Sequence, residues 1–351
     1  MKRGSALNRL ASIDVLKGVA IIAVIAIHTE PFHGLYPDSP AGWIYPGMVI
    51  NQLARFAVPF FFVVSGYFWG RRIQGGRDVR SISVPMARRI VLIFVCWSVI
   101  YALPYNISAM AEFGIPAVLH AAWQNVEDVI NSPLALMMQG TKSHLWFLPA
   151  LLCALAISAP LAAKGRHKTL IALSIVLYLV GLLAKSYSDT RWGLHINFDT
   201  RNGPFFSTIF FVSGYHLAGL KPDSGWLPKG MALFGFGLLL HLTEVYFLWK
   251  LYGKNPYDQD YVIGTYCMGT GIAGAALSNN PLIRNARLHD LGRFTLGIYA
   301  IHHIFVDLLR PVGRFTNSWL WQIGYVILVL LLSLGSVMLL SGNRLTRRIV
   351  L

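Results

Sequence analysis

Long apolar stretches alternate with short polar or basic clusters along almost the whole chain. A helix rising 1.5 Å per residue needs roughly 20 apolar residues to cross a hydrocarbon core of about 30 Å. About ten stretches meet that requirement, near 13–34, 48–69, 85–105, 144–163, 168–185, 204–220, 230–250, 261–278, 294–311 and 317–341. The pattern predicts an all-α fold, a polytopic membrane helix bundle forming a single integral-membrane domain over 1–351. No stretch reads as an appended soluble domain. No small-residue cleavage site follows the first apolar stretch, so it is expected to stay as a helix.

Composition supports this reading: 55% of the residues are hydrophobic, 13% are charged and the mean hydropathy is +0.54, too apolar for an average soluble domain. The net charge of +15 would suggest nucleic acid in a soluble protein, but its placement says otherwise. Basic residues gather at Lys2, Arg3 and Arg9; at Arg71, Arg72, Arg77, Arg80, Arg88 and Arg89; and at Lys164, Arg166 and Lys168. They recur at Lys221 and Lys229, at Arg284, Arg287 and Arg293, and at Arg344, Arg347 and Arg348. With ten spans every cluster falls on one side, as the positive-inside rule asks of a chain with both termini cytoplasmic. The expected partner is therefore the lipid bilayer, with no nucleic acid.

Acidic residues Glu112, Glu127, Asp128, Asp189, Asp199, Asp258 and Asp260 collect on the opposite side. Cys96, Cys153 and Cys267 lie in separate apolar stretches without a CxxC spacing, so neither a disulfide framework nor a zinc site is indicated. Two segments resemble one another, Pro59–Tyr67 and Phe205–Tyr215, each ending in Ser-Gly-Tyr. Their small Ser-Gly pairs would permit close helix contact, and both segments are expected to run in the same direction. The longest connection, 106–143, contains an apolar piece at Leu134–Met138 too short to span, which reads as interfacial, re-entrant or simply packed.

The first apolar stretch carries the densest candidate chemistry. Asp14, Lys17 and His28 fall on one helical stripe, because eleven residues at about 100° each return to nearly the same face. Charge inside a bilayer is expensive, which favours a functional role. Asp14 and Lys17, three apart, can pair and offset each other's desolvation. His28 stands roughly 16 Å further along; it reads either as a proton acceptor or as a structural polar contact between helices. In the ninth stretch Tyr299 and His302 share a face, with His303 adjacent. No carboxylate or thiolate accompanies the histidine pair at ligand spacing, so no metal is expected. Ser65 and Ser213 lack a GxSxG context and read as packing residues.

Several motifs resemble, in order, those of the acyltransferase-3 family of integral-membrane acyltransferases. They are Lys17, ten residues and His28 in the first helix; Arg55 followed by PFFFVVSGYF; Arg88-Arg89 at the entry to the third helix; His144-Leu145-Trp146-Phe147-Leu148; Arg201-Asn202-Gly203-Pro204-Phe205-Phe206; and Leu291-Gly292 through Tyr299 to His302. One departure stands out: the family often has two arginines three apart where this chain has Met86 and Arg89. The resemblance implies transfer of an acyl group, commonly acetyl from acetyl-CoA, to a hydroxyl of a lipid-linked or cell-surface glycan. It also implies a multi-pass location in the bacterial inner (plasma) membrane.

Under that resemblance the catalytic residues are His28, as general base or less directly as acyl carrier, with Lys17 and its partner Asp14. Lys17, Arg88 and Arg89 would hold the phosphates of the acyl-CoA donor. His144, Trp146, Arg201, Asn202, Tyr299 and His302 would line the acceptor site. No metal cofactor is implied, and a homo-oligomer is compatible with the pattern. Two other classes also accommodate buried charge: a proton-coupled transporter or exporter using Asp14, Lys17 and His28 as a relay, and a membrane sensor without chemistry.

Overall fold

The computed structural model describes residues 10–34, 39–103, 107–283 and 286–351; Lys2, Arg3, Arg9 and Arg284 of the basic clusters lie outside them. Among the described residues every regular element is helical. The α-helices are α1 (Ala11–Thr29), α2 (Ile44–Ala54), α3 (Ala57–Gln74), α4 (Val79–Ala102), α5 (Ile107–Asn131), α6 (Pro133–Gln139), α7 (Phe147–Ala163) and α8 (His167–Ala184). They continue as α9 (Pro204–Leu217), α10 (Trp226–Tyr252), α11 (Ile263–Leu277), α12 (Ala286–Leu291), α13 (Thr295–Leu309), α14 (Trp319–Ser341) and α15 (Arg347–Val350).

Among the described residues, seven segments are long and apolar enough to cross a membrane: α1, the α2–α3 stretch Ile44–Gln74, α4, Ser143–Ala163, α8, α10 and α14. The stretches expected at 204–220, 261–278 and 294–311 are helical too, but as α9, α11 and α13 they have only 14, 15 and 15 residues. Their short length follows from their place. Most of α9 and α11 is buried, where backbone and polar groups meet protein rather than lipid. The outward faces are apolar at helical spacing, as in Val91, Val95 and Val99 of α4 and Ile323, Ile327 and Leu331 of α14. Such exposed stripes suit acyl chains, and the chain is a multi-pass membrane protein.

Local sequence explains the ends. Asp78 caps α4 by accepting from the Ser81 amide at 2.8 Å, and Ser318 caps α14 by accepting from Trp321 at 3.2 Å. The expected long connection is itself structured: residues 107–139 form α5 and α6, and the short apolar piece is α6.

Helix α1 is the hub, packing against α2, α3, α11, α12, α13 and α14. The two Ser-Gly-Tyr segments lie on α3 and α9, which run side by side in the same direction. Phe62 meets Phe206 near one end, and Gly70 meets Tyr215 near the other. Ser65 and Ser213 donate to the carbonyls of Phe61 and Ile209, one turn earlier in their own helices, as packing residues do.

Candidate functional site

Lys17 and Asp14 form the expected pair near the start of α1, Nζ to Oδ1 3.4 Å, with the carboxylate buried and the ammonium half-buried over the Phe68 ring. Beside them opens a cavity of about 320 Å³. Lys17, Met86 and Arg89 line it together with Ser65, and Val24 and Tyr299 are also in its lining. Arg88 is exposed and is not part of that wall, because neighbouring residues on a helix point about 100° apart. Met86, one turn before Arg89, does share it. A larger groove of about 570 Å³ between α8, α9, α10 and α11 has an apolar lining.

Val24 is one turn from His28, and there four histidines converge. The His28 ring centroid lies 5.2 Å from that of His302, 4.5 Å from His303 and 6.2 Å from His144. His144 stacks on His303 at 4.4 Å. Three chain segments create this meeting point: the last turn of α1, the short turn Ser143–Trp146 before α7, and the middle of α13. Tyr299 ties two of them together by donating its hydroxyl to the His144 carbonyl at 2.6 Å. Nδ1 of His302 lies 2.7 Å from the Tyr299 carbonyl. A carbonyl can only accept, so Nδ1 carries the proton and Nε2 presents a lone pair.

A second, charged group adjoins the segment that carries His144 and Trp146. Arg55 donates to Asp260 at 2.6 Å, to Asn51 and to the Tyr257 carbonyl. Lys185 bridges Asp260 and Asp199 at 2.9 and 2.8 Å, and Arg201 reaches Asp260 at 3.3 Å. Burial alone would raise the Asp260 carboxyl, but Arg201, Arg55 and Lys185 outweigh it and hold it well below the usual carboxylate range. Burial likewise opposes the charge on Arg201, and Asp260 and Asp199 override it, pushing its pKa up. The Arg201 guanidinium lies 5.1 Å from the Trp146 ring centroid, so the cation and the indole form one surface beside the histidines. Asn202 is buried and donates to Gln139 at 3.4 Å.

The structure thus divides the sequence candidates into three neighbouring groups. Asp14, Lys17 and Arg89 stand at the cavity; His28, His144, Tyr299 and His302 meet beyond it; Trp146, Arg201 and Asn202 belong to the charged group. Sequence reasoning missed the extent of two of them. His303 joins the histidines, although only its adjacency to His302 marked it. Arg55, Lys185 and Asp260 form the ionic hub; the motif that Arg55 opens and the outer acidic group that includes Asp260 marked two of its members, but neither signal paired them.

The acyltransferase-3 family model, described as an acyltransferase domain, matches residues 10–338. Among curated relatives, a protein named amino-acid racemase from Enterococcus faecalis is 27% identical over 322 residues, covering 88% of this chain and 42% of the relative. A second amino-acid racemase from the same organism is 27% identical over 221 residues, covering 59% of this chain and 28% of the relative. A serine/alanine racemase from Enterococcus gallinarum is 27% identical over 251 residues, 67% of this chain and 33% of the relative. The chain therefore spans less than half the length of these relatives. No solved structure matches.

Proposed function

The chain belongs to the acyltransferase-3 family, and from that membership we propose that it is an O-acyltransferase moving an acyl group, acetyl foremost, from acyl-CoA to a saccharide hydroxyl. The observation that carries this reading is the cavity that joins Lys17 and Arg89 to Val24 and Tyr299, one turn short of His28. A cationic mouth suits the phosphates of CoA. The apolar lining suits a long, mostly uncharged arm, which would have to reach about 16 Å, the rise from Lys17 to His28. In this orientation the basic end is cytoplasmic, with both termini there, and the membrane is the inner (plasma) membrane of a bacterium.

The chemistry asks little of the protein, because a thioester is already activated. His28 accepts the proton of the acceptor hydroxyl as the oxygen attacks the thioester carbonyl carbon. Collapse of the tetrahedral intermediate breaks the carbon–sulfur bond, and the proton on His28 passes to the departing thiolate. Trp146 offers a flat apolar face to a sugar ring, and Arg201 and Asn202 offer hydrogen bonds to its hydroxyls. The acceptor is a cell-surface or lipid-linked glycan. The racemase names of the relatives belong to proteins more than twice as long as the matched region and are not carried over.

Protein purified in detergent and supplied with acetyl-CoA and candidate glycans tests the proposal, with the acetylated product read by mass spectrometry. The expected result is turnover that His28→Ala abolishes without loss of the folded protein. Turnover retained in that variant removes His28 as base and as acyl carrier. Proton-coupled solute uptake into liposomes without acyl transfer would replace the reading with transport.

A further inference from the structure

The histidine cluster contains more than the proposed acyl transfer uses. One base suffices for a thioester, yet His28, His302 and His303 place one ring nitrogen each within 4.8 Å of one another. Their centroids form a nearly equilateral triangle with sides of 4.5, 5.0 and 5.2 Å. Nε2 of His302 and both ring nitrogens of His303 are buried without any hydrogen-bond partner. A buried polar atom without a partner costs about 1–3 kcal/mol, so unsatisfied nitrogens within one cluster of rings call for a common ligand.

The protonation pattern narrows that ligand. With the Nδ1 proton of His302 committed to the Tyr299 carbonyl, its Nε2 is a lone pair held in a fixed direction. Metal-binding histidines are oriented in this way, by a second hydrogen bond from the far nitrogen. Nearby cations would repel a metal ion if they were bare. Lys142, however, contacts Asp307 at 2.5 Å, Arg310 lies 3.7 Å from Glu30, and Arg55 and Arg201 are held by Asp260.

We propose that His28, His302 and His303 bind a divalent transition cation, zinc foremost, and that its occupancy withdraws His28 from acyl transfer. Neutral imidazoles suit zinc, which takes nitrogen ligands at about 2.0–2.1 Å in tetrahedral geometry. That geometry needs the nitrogens roughly 3.4 Å apart, so the rings must draw in by small rotations. The metal occupies the lone pair on which His28 acts as a base, so loaded protein is idle and chelation restores it. The binding stands by itself; the inhibition rests on the acyl-transfer reading. Sequence spacing could not show the site, because His28 comes from the other end of the chain.

Protein with its affinity tag removed is dialysed against zinc chloride and its metal content measured, with cobalt(II) as a visible-absorption probe of coordination. The expected result is one zinc per chain and tetrahedral cobalt bands, with affinity falling at least about tenfold in His302→Gln and His303→Gln, since even outer-shell changes cost 10–100-fold. His167→Gln, a substitution outside the cluster, retains full binding. Zinc bound no more tightly than in the two cluster variants overturns the site. Should either variant fail to fold, wild-type thermal unfolding decides: zinc raises the midpoint and chelator reverses it, and no shift overturns the site. Zinc that binds but leaves product formation unchanged overturns the inhibition alone. A preparation that binds zinc but never transfers acyl groups overturns the acyl-transfer reading and leaves the metal site standing.

Discussion

Gly66 of α3 meets the backbone of Phe211 in α9 so closely that a Cβ on Gly66 would lie 1.9 Å from the Phe211 carbonyl oxygen. The relationship is reciprocal, because a Cβ on Gly214 would lie 1.9 Å from the carbonyl of Val63. The two Ser-Gly-Tyr segments therefore meet as equivalent partners, each glycine admitting the other helix's backbone. Rigid backbone cannot yield as a flexible side chain does. Gly66→Ala and Gly214→Ala should each cost about 3 kcal/mol, the upper end for overpacking. Gly235 in α10, with open space where its Cβ would be, is the control; Gly235→Ala should be neutral or stabilising by up to about 1 kcal/mol. Thermal unfolding in detergent separates the cases, and equal midpoints for all three variants would refute the close contact.

Arg88 and Arg89 are adjacent in sequence, yet only Arg89 lines the cavity with Lys17. If the cavity takes the donor, Arg89→Ala removes a charge-assisted contact of about 1.5–3 kcal/mol and raises KM for acetyl-CoA roughly tenfold or more. Contact with remote phosphates is the same in the ground and transition states, so kcat should hold within about twofold. Arg88→Ala should change neither parameter. Steady-state kinetics with varied acetyl-CoA provide the check, and equal effects of the two variants would show that they act only as general surface charge.

The Arg88–Arg89 case shows how far the chain could be read without coordinates. Helix positions were legible because apolar length and basic punctuation are local properties, and the stripe of Asp14, Lys17 and His28 followed from helical geometry alone. The short helices α9, α11 and α13 were overestimated in length, since hydropathy does not distinguish a helix wrapped by protein from one wrapped by lipid. Contacts between distant segments were the least legible. His303 reaches His28, and Asp260 reaches Arg55, only through packing of helices far apart in the chain. The ordered motifs supplied the neighbourhood of these sites, but the fourth histidine, His303, and the pairing within the ionic hub needed the fold.

Tyr299 fastens the turn carrying His144 to α13 through one hydrogen bond, and its ring also faces the cavity. Tyr299→Phe keeps the ring and removes the donor, leaving the His144 carbonyl short of a partner. The expected stability loss is about 1–2 kcal/mol. Loosening His144 beside the reacting groups should lower kcat about tenfold, because small misplacements cost rate steeply. KM for the donor should change little. Unfolding midpoints and kinetics on the same preparation test this, and a kcat equal to wild type would show that the bond serves stability alone.

Asp260 holds three cations, Arg55, Arg201 and Lys185, and is itself almost buried. Removing its charge leaves those cations without their shared anion, a change that costs about 3–5 kcal/mol at buried pairs, so Asp260→Asn should be markedly less stable at pH 7. The pH dependence has a definite sign. A carboxyl depressed in the folded protein stabilises it fully above the unfolded value of about 4, and this contribution fades as pH falls below that value towards the folded one. Wild-type protein should therefore lose stability more steeply than Asp260→Asn as pH drops below about 4, with the gap between them narrowing. Thermal unfolding in detergent from neutral to acidic pH measures both curves. Parallel curves would mean that Asp260 is not the charge on which Arg55, Arg201 and Lys185 depend, and that Asp199 supplies it instead.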